Sequence, residues 1–392
     1  MVQKRAQFLP YALPSIEQEE IDQVIDTLKS GWLSTGPKVK QFEDQFKQLT
    51  GAKHAIAVNS CTAALFLALK GKGIGVGDEV ITTPLTFCAT ANTIIHTGAH
   101  PVFVDIDPAT LNIDPAKIEE AVTPKTKAIV PVHFAGQSCH MDEVLQIAKN
   151  HGLFVLEDAA HALYTTYHNR PIGSIGDATA FSFYATKNLA TGEGGMLTTN
   201  DDKLADRMRR MALHGMSKDA WNRYGEKGTW YYEVEEPGYK MNMFDMQAAL
   251  GIAQLNRLTD MQKRREQIAI AYGQAFQDEA GLILPPVHEE GRHAWHLYVL
   301  QVEPEKAGLT RDELIKQLHQ TYKIGTSVHF IPVHLHPYYK QSFHYSDADF
   351  PEAMNYYQRT LSLPLYPSMT DEDVTYVIEA VLEIVRKARV KK

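Results

Sequence analysis

Between residue 51 and about residue 200 the apolar positions fall into short runs: HAIAV, DEVITT, HPVFVDI, TKAIVPV, LFVLED, ATAFSF and GGMLTT. Each is bounded by polar or turn residues, and most are separated by stretches with helical spacing, such as 62–70 and 142–150. Strand-sized runs alternating with helices predict an α/β unit with a mostly parallel central sheet flanked by helices. Two helices should precede it. Ile21, Val24, Ile25 and Leu28 mark one face, with Ser15 and Gln18 read as its capping box, and Val39, Phe42, Phe46 and Leu49 mark a second that ends at Gly51.

Beyond residue 240 the pattern changes. DMQAALGIAQLNRL runs into RREQIAIAYGQAF as one long amphipathic connector. After it come the strand candidates HLYVLQV and TSVHF and a helix opened by Thr310 and Glu313. A last helix, opened by Thr370 and Asp373, offers Val374, Val377, Ile378, Val381, Leu382 and Val385 to a core. The expected division is an N-terminal arm (1–14), a large α/β domain (15–255) and a smaller C-terminal α+β domain (256–392). The polar stretch 217–236 reads as a surface loop, and its Trp and Tyr residues suggest a contact surface.

Composition narrows the partners. The chain has 392 residues, 44% hydrophobic and 22% charged, with a net charge of −8, so nothing favours nucleic acid or an anionic membrane and a small-molecule partner is expected. Cys61, Cys88 and Cys139 are odd in number and lack metal or redox spacing, which points to a reducing compartment, the cytoplasm by default. The opening MVQKRAQFLPYALPS has no apolar leader core, and no run approaches the roughly 18 apolar residues of a membrane span.

Three features carry candidate chemistry. In NSCTAALFLAL the strand ending at Val58 leads through a small polar turn into an apolar helix starting at Thr62. The free amides of Cys61, Thr62 and Ala63 could therefore face a phosphate at the positive end of the helix dipole. Asp158 closes the apolar strand LFVLED, where a buried carboxylate needs a cationic partner, and His161 follows three residues later. Lys187 stands just past the strand ATAFSF, before the glycines of TGEGG, with Ser182 upstream. Taken singly these are an ordinary helix cap, a turn carboxylate and a solvated loop charge. Together they suit pyridoxal phosphate: the lysine amine forms a Schiff base with the aldehyde, and an acidic residue holds the pyridinium nitrogen protonated. Phe87, in TPLTFCAT, offers a flat face for stacking on the ring.

Two other patterns carry less. GKGIGVG (71–77) follows a helix and precedes a strand, the reverse of a dinucleotide fingerprint, and reads as a helix-ending turn. HFIPVHLHP brings His329, His334 and His336 close in sequence without a supporting carboxylate or cysteine, so no metal is expected. Contact with a sugar is the expectation for His329, and Trp32, in the loop before the second helix, is a similar candidate.

The motifs NSCTAAL, TFCATAN, LEDAAHA, SFYATKNLATGEGG and GYKMNMFDMQAALG, in this order, resemble the DegT/DnrJ/EryC1/StrS family of pyridoxal-phosphate sugar aminotransferases over nearly the whole chain. The resemblance implies a type I aminotransferase fold and a homodimer with shared active sites. It also implies transfer of an amino group from an amino acid, commonly glutamate, to a nucleotide-linked keto sugar, here a UDP-4-keto sugar. By position it makes Lys187 the Schiff-base lysine and Asp158 the pyridinium partner, and it sets His161 beside the phenolic oxygen. Thr62, Ala63 and Ser182 match phosphate positions, and Phe87 the stacking aromatic. In GYKMNM, Lys240 and Asn242 stand where many members carry asparagine then arginine, as in the subset resembling the 4-amino-4-deoxyarabinose aminotransferase; Asn242, with Lys240 as runner-up, would reach the partner subunit's cofactor phosphate. A sugar dehydratase or lyase of the same fold and a non-enzymatic regulatory relative are the alternatives. Relatives with histidine in place of Lys187 resemble dehydratases, so the lysine favours amino transfer.

Overall fold

The computed structural model describes residues 3–217 and 231–390. The expected surface loop at 217–236 therefore lies largely outside the described residues. Two helices open the fold, α1 (Gln18–Ser30) and α2 (Pro37–Thr50). The sheet-building region then runs β1 (His54–Val58), α3 (Cys61–Lys72), β2 (Glu79–Thr82), α4 (Cys88–Thr97), β3 (His100–Phe103), α5 (Pro115–Ala121), β4 (Thr126–Val130), α6 (Met141–His151) and β5 (Phe154–Asp158). A two-stranded ribbon, β6 (Thr166–Tyr167) and β7 (Arg170–Pro171), leads to β8 (Ala178–Ser182), β9 (Gly195–Thr199) and α7 (Asp202–Met211).

Seven strands form one sheet in the order β1-β9-β8-β5-β4-β2-β3. The pairs β2–β3, β2–β4, β4–β5 and β5–β8 are parallel, and β9 runs antiparallel to both β1 and β8. Every expected strand of this region is present. Burial on both faces explains why these strands read as continuous apolar runs rather than alternating ones.

Helix α8 (Asp245–Phe276) spans 32 residues, with residue 255 in its interior. Beyond it lie β10 (Leu282–Ile283), β11 (Tyr298–Val302), α9 (Pro304–Ala307), α10 (Arg311–Tyr322), α11 (Pro337–Phe343), α12 (Pro351–Arg359), β12 (Thr360–Leu363) and α13 (Asp371–Val390). The three strands pair antiparallel, in the order β10-β11-β12. The capping boxes at Thr310/Glu313 and Thr370/Asp373 both form, and Val374, Val377, Val381 and Val385 are buried in a core shared with Tyr272 and Phe276 of α8.

Three local expectations are corrected. TSVHF is not a strand: it makes only one isolated bridge, Ser327 to Ser362, because the chain here turns into the cavity wall. Helix α1 is capped at Glu17, whose N–H donates to Glu20 Oε2 at 2.9 Å, while Ser15 is held by Gln254 and Arg257 of α8. Its orientation also inverts its pattern. Glu20 is fully buried against Arg257 (2.6 Å) and Gln254 (2.6 Å), whereas Ile21, Ile25 and Leu28 remain 41–52% exposed. Ser60, rather than Thr62, caps α3, accepting from the Ala63 amide at 3.1 Å.

No helix among the described residues is long and apolar enough to cross a membrane.

Candidate active site

A cavity of about 530 Å³ opens where β5 and β8 finish. Ends of parallel strands are where α/β sheets gather reactive groups, since backbone and side chains there face an open crevice rather than the next turn of core. Ser60, Cys61, Thr62, Phe87, Thr90, Asp158, His161, Ser182, Lys187, His296, His329 and Phe330 all contribute to its wall. Of the residues singled out from sequence, Thr62, Phe87, Asp158, His161, Ser182, Lys187 and His329 are brought together here.

Asp158 is 4% exposed. Its Oδ2 accepts from Thr90 Oγ1 at 2.7 Å, Thr90 in turn lies 2.8 Å from Thr86 Oγ1, and its Oδ1 accepts from the Ala160 amide at 3.1 Å. These bonds, with the nearby charges of Lys187 and His133, favour the carboxylate, but burial outweighs them and raises its pKa. A carboxylate in that condition is stabilised by a cation presented to it.

The Lys187 amine is pushed down to about 8 by burial, against the opposing pull of the Asp158 carboxylate. Near neutrality a useful fraction is therefore the free base. Cys61 itself stays a thiol, raised well above its usual value by burial and by the Asp158 charge. His161, 7% exposed, is held well below its ordinary range by burial and by Lys187, so it is neutral. Its Nδ1 accepts from the Ala135 amide at 3.3 Å, which leaves the proton on Nε2.

The end of the cavity at the start of α3 is shaped by backbone. Ser60 and Gly195 approach so closely that a Cβ on Gly195 would sit 2.5 Å from the Ser60 carbonyl carbon and 2.6 Å from the Cys61 nitrogen. Only glycine lets β9 support the first turn of α3 in this way. Cys61 and Thr62, at that helix N-terminus, and Ser182 face the cavity. The Ala63 amide is spent on the Ser60 cap, and Ala63 is not on the cavity wall.

Other predicted residues lie elsewhere. Asn242 donates to Thr35 Oγ1 at 2.6 Å and keeps its Oδ1 buried without a partner among the described residues; Lys240 is exposed beside it. Trp32 folds over Gly36 and donates to the Thr35 carbonyl at 3.1 Å. None of the three lines the cavity. The histidines of HFIPVHLHP are parted: His329 enters the cavity, while His334 is buried edge-on to Phe350.

Sequence reasoning missed Tyr11, His296 and Asn188. Tyr11 reaches the cavity because the arm pairs with the C-terminal region, Leu9 bonding to Lys323 and Gly325 at 2.8 Å each. No local pattern announces that. His296 opens the strand candidate HLYVLQV, and a polar residue at a strand mouth is the same signal that marked Asp158.

The residues present fit pyridoxal phosphate. The buried carboxylate lacking a hydrogen-bonded cation, the amine of lowered pKa, the glycine-backed helix N-terminus and the 60% exposed Phe87 ring match the cofactor's nitrogen, aldehyde, phosphate and flat face.

Comparison with known proteins bears on the same point. The DegT/DnrJ/EryC1/StrS aminotransferase family matches residues 14–382. The chain is 73% identical to the spore coat polysaccharide biosynthesis protein SpsC of Bacillus subtilis (strain 168), covering 99% of this chain and 100% of that one. Among solved structures it resembles the putative sugar aminotransferase Spr1654 of Streptococcus pneumoniae in its PMP form (TM-score 0.90, 34% identity, 97% of this chain and all of the other). It also resembles PseC of Helicobacter pylori, an aminotransferase involved in the biosynthesis of pseudoaminic acid (TM-score 0.90, 31% identity, 97% of this chain and all of the other). The chain belongs to the DegT/DnrJ/EryC1/StrS aminotransferase family, has the type I aminotransferase fold and is a pyridoxal-phosphate-dependent transaminase acting on sugars.

Proposed function

We propose that this enzyme moves the amino group of an amino acid, glutamate foremost, to the keto carbon of a nucleotide-linked sugar, a UDP-4-keto sugar being the first candidate. The observation that carries the reading is the juxtaposition, in one cavity, of the Lys187 amine with the buried Asp158 carboxylate. The name of SpsC and the description of PseC, both concerned with making sugars, support the choice of substrate class.

The bound cofactor supplies an aldehyde for covalent attachment and a cationic ring that accepts electrons. The protein does the rest. With the cofactor bound, Lys187 would serve as nucleophile, as leaving group and, as the neutral amine, as the base that moves the donor carbon's proton. Asp158 keeps the ring nitrogen protonated. Cys61 and Thr62, at the start of α3, and Ser182 would hold the phosphate, with Ala63 behind them; Phe87 would stack on the ring, and His161, whose proton is on Nε2, would donate to it. His329, on the same wall, is the proposed sugar contact, with Trp32, which lies off this wall, a second candidate.

The second subunit is part of the proposal. Ile21, Ile25 and Leu28 form an exposed apolar face on α1, and Asn242 carries an unpartnered buried oxygen outside the cavity, both consistent with a homodimer in which Asn242 of one protomer reaches its partner's phosphate site.

Mass spectrometry of products from a panel of keto sugar nucleotides with glutamate tests the reading. An amino sugar nucleotide formed with 2-oxoglutarate is the expected result; a dehydrated sugar without nitrogen would replace transfer with elimination.

A further inference from the structure

Lys187 Nζ lies 3.4 Å from His296 Nε2, at the long end of hydrogen-bonding distance. What that contact does depends on which ring nitrogen of His296 carries the proton, and the surrounding network decides it. His296 Nδ1 is 3.0 Å from Asn188 Oδ1. The Asn188 amide cannot be turned around, because its nitrogen donates to the Ala294 carbonyl at 2.7 Å and to Gln262 Oε1 at 3.3 Å, and a carbonyl only accepts. Gln262 is anchored in turn, its Nε2 reaching the His293 carbonyl at 3.4 Å. An amide oxygen brings no proton, so His296 must carry one on Nδ1, and Nε2 presents a lone pair to the lysine.

The ring is also fixed in place. Arg265, 3% exposed, donates to the carbonyls of Trp295 (3.2 Å), the residue before His296, and of Leu365 (3.0 Å), which lines the cavity. The His296 amide donates to the Ala135 carbonyl at 3.0 Å, across a passage that Gly136 (φ 104°) keeps open: a Cβ there would lie 3.1 Å from the His296 nitrogen. Burial and the neighbouring Lys187, His161, Arg265 and His329 hold the imidazole well below its ordinary pKa, hence neutral.

We propose that Asn188 and His296 are positioning residues for the Lys187 amine: Asn188 fixes the Nδ1–H tautomer, and the His296 Nε2 lone pair accepts a hydrogen bond from Nζ, holding the amine in one orientation in the cavity. The proposal rests on the reading of Lys187 as the reactive amine. An acceptor aimed at Nζ also favours its protonated form, alongside the Asp158 carboxylate, while Cys61, His161 and His329 face it uncharged. The relay thus keeps burial from depressing the amine further.

The test is the Nζ pKa in the full chain freed of cofactor, obtained from the pH dependence of Lys187 acetylation by acetic anhydride, read by peptide mass spectrometry. His296→Phe should lower it by about half to one unit, as loss of a hydrogen bond to the charged form requires. Asn188→Leu, which frees the tautomer, should lower it similarly, and His296→Gln, which restores an acceptor, should return it most of the way. Nitrogen-15 spectra of histidine-labelled protein should show His296 protonated at Nδ1. An unchanged Lys187 pKa in the Phe and Leu variants, with only thermal stability altered, would reduce the pair to packing; a proton found on Nε2 would overturn the proposal even if His296→Phe did not fold. Wild-type protein that shows the relay yet takes up no pyridoxal phosphate would sink the proposed function and leave this inference standing.

Discussion

Lys187, the amine proposed to react, illustrates how a buried titratable side chain burdens the fold that holds it. Its folded pKa is about 8 against 10.5 unperturbed. Below pH 8 both folded and unfolded chains carry the ammonium, and the burial penalty weighs fully on the folded state; between 8 and 10.5 the unfolded chain binds more protons, so stability rises with pH. Lys187→Met should therefore stabilise the cofactor-free protein at pH 7 by about 1–2 kcal/mol, some of the penalty being screened by water at the cavity mouth, with the difference vanishing above pH 10.5. Urea unfolding across that range checks it, and a pH-independent difference would point to packing alone. Asp158→Asn keeps the shape and the bond from the Ala160 amide, reverses the Thr90 bond so that the amide nitrogen donates to the hydroxyl, and removes the charge, so we expect a folded protein whose transaminase rate falls by about 100-fold or more. Both residues were visible in the sequence because each interrupts an apolar pattern at a strand end. His296 had the same mark but not the company of a recognised motif. Its role depends on Asn188, whose amide meets it across more than a hundred residues of chain, and no local spacing encodes that.

The elements were readable to the extent that their burial is uniform. Strands buried on both faces announce themselves as apolar runs, and all seven of the large sheet did so. Helix α1 misled because its chemistry is inverted: Arg257 and Gln254 satisfy Glu20 in the interior, so the periodic apolar stripe marks the outer face. TSVHF has strand composition but is drawn into the cavity wall, where His329 Nδ1 meets Ser362 Oγ at 2.8 Å. The contact of β9 with the first turn of α3 was foreshadowed by the glycines of TGEGG. Gly195→Ala would place a methyl against rigid backbone, so a loss of about 1–3 kcal/mol is expected, together with weaker cofactor binding as the α3 N-terminus is displaced. Thermal melts and a cofactor titration measure the two effects; retention of both would mean that this turn does not shape the phosphate site.

For the molecule as a whole, the arm, the α/β sheet and the C-terminal strands meet around one cavity, which is why its wall draws on residues from Tyr11 to Leu365. The exposed stripe Ile21, Ile25 and Leu28 predicts self-association. Sedimentation equilibrium should give twice the chain mass for the wild type and a shift toward monomer for Ile25→Asp; a wild-type monomer would remove the basis for sharing Asn242 between sites. The most direct test is borohydride reduction of the protein with pyridoxal phosphate, followed by peptide mapping. The cofactor mass should appear on Lys187 and be absent from Lys187→Met, whereas no attachment, or attachment to another lysine, would contradict the assignment on which the chemistry depends.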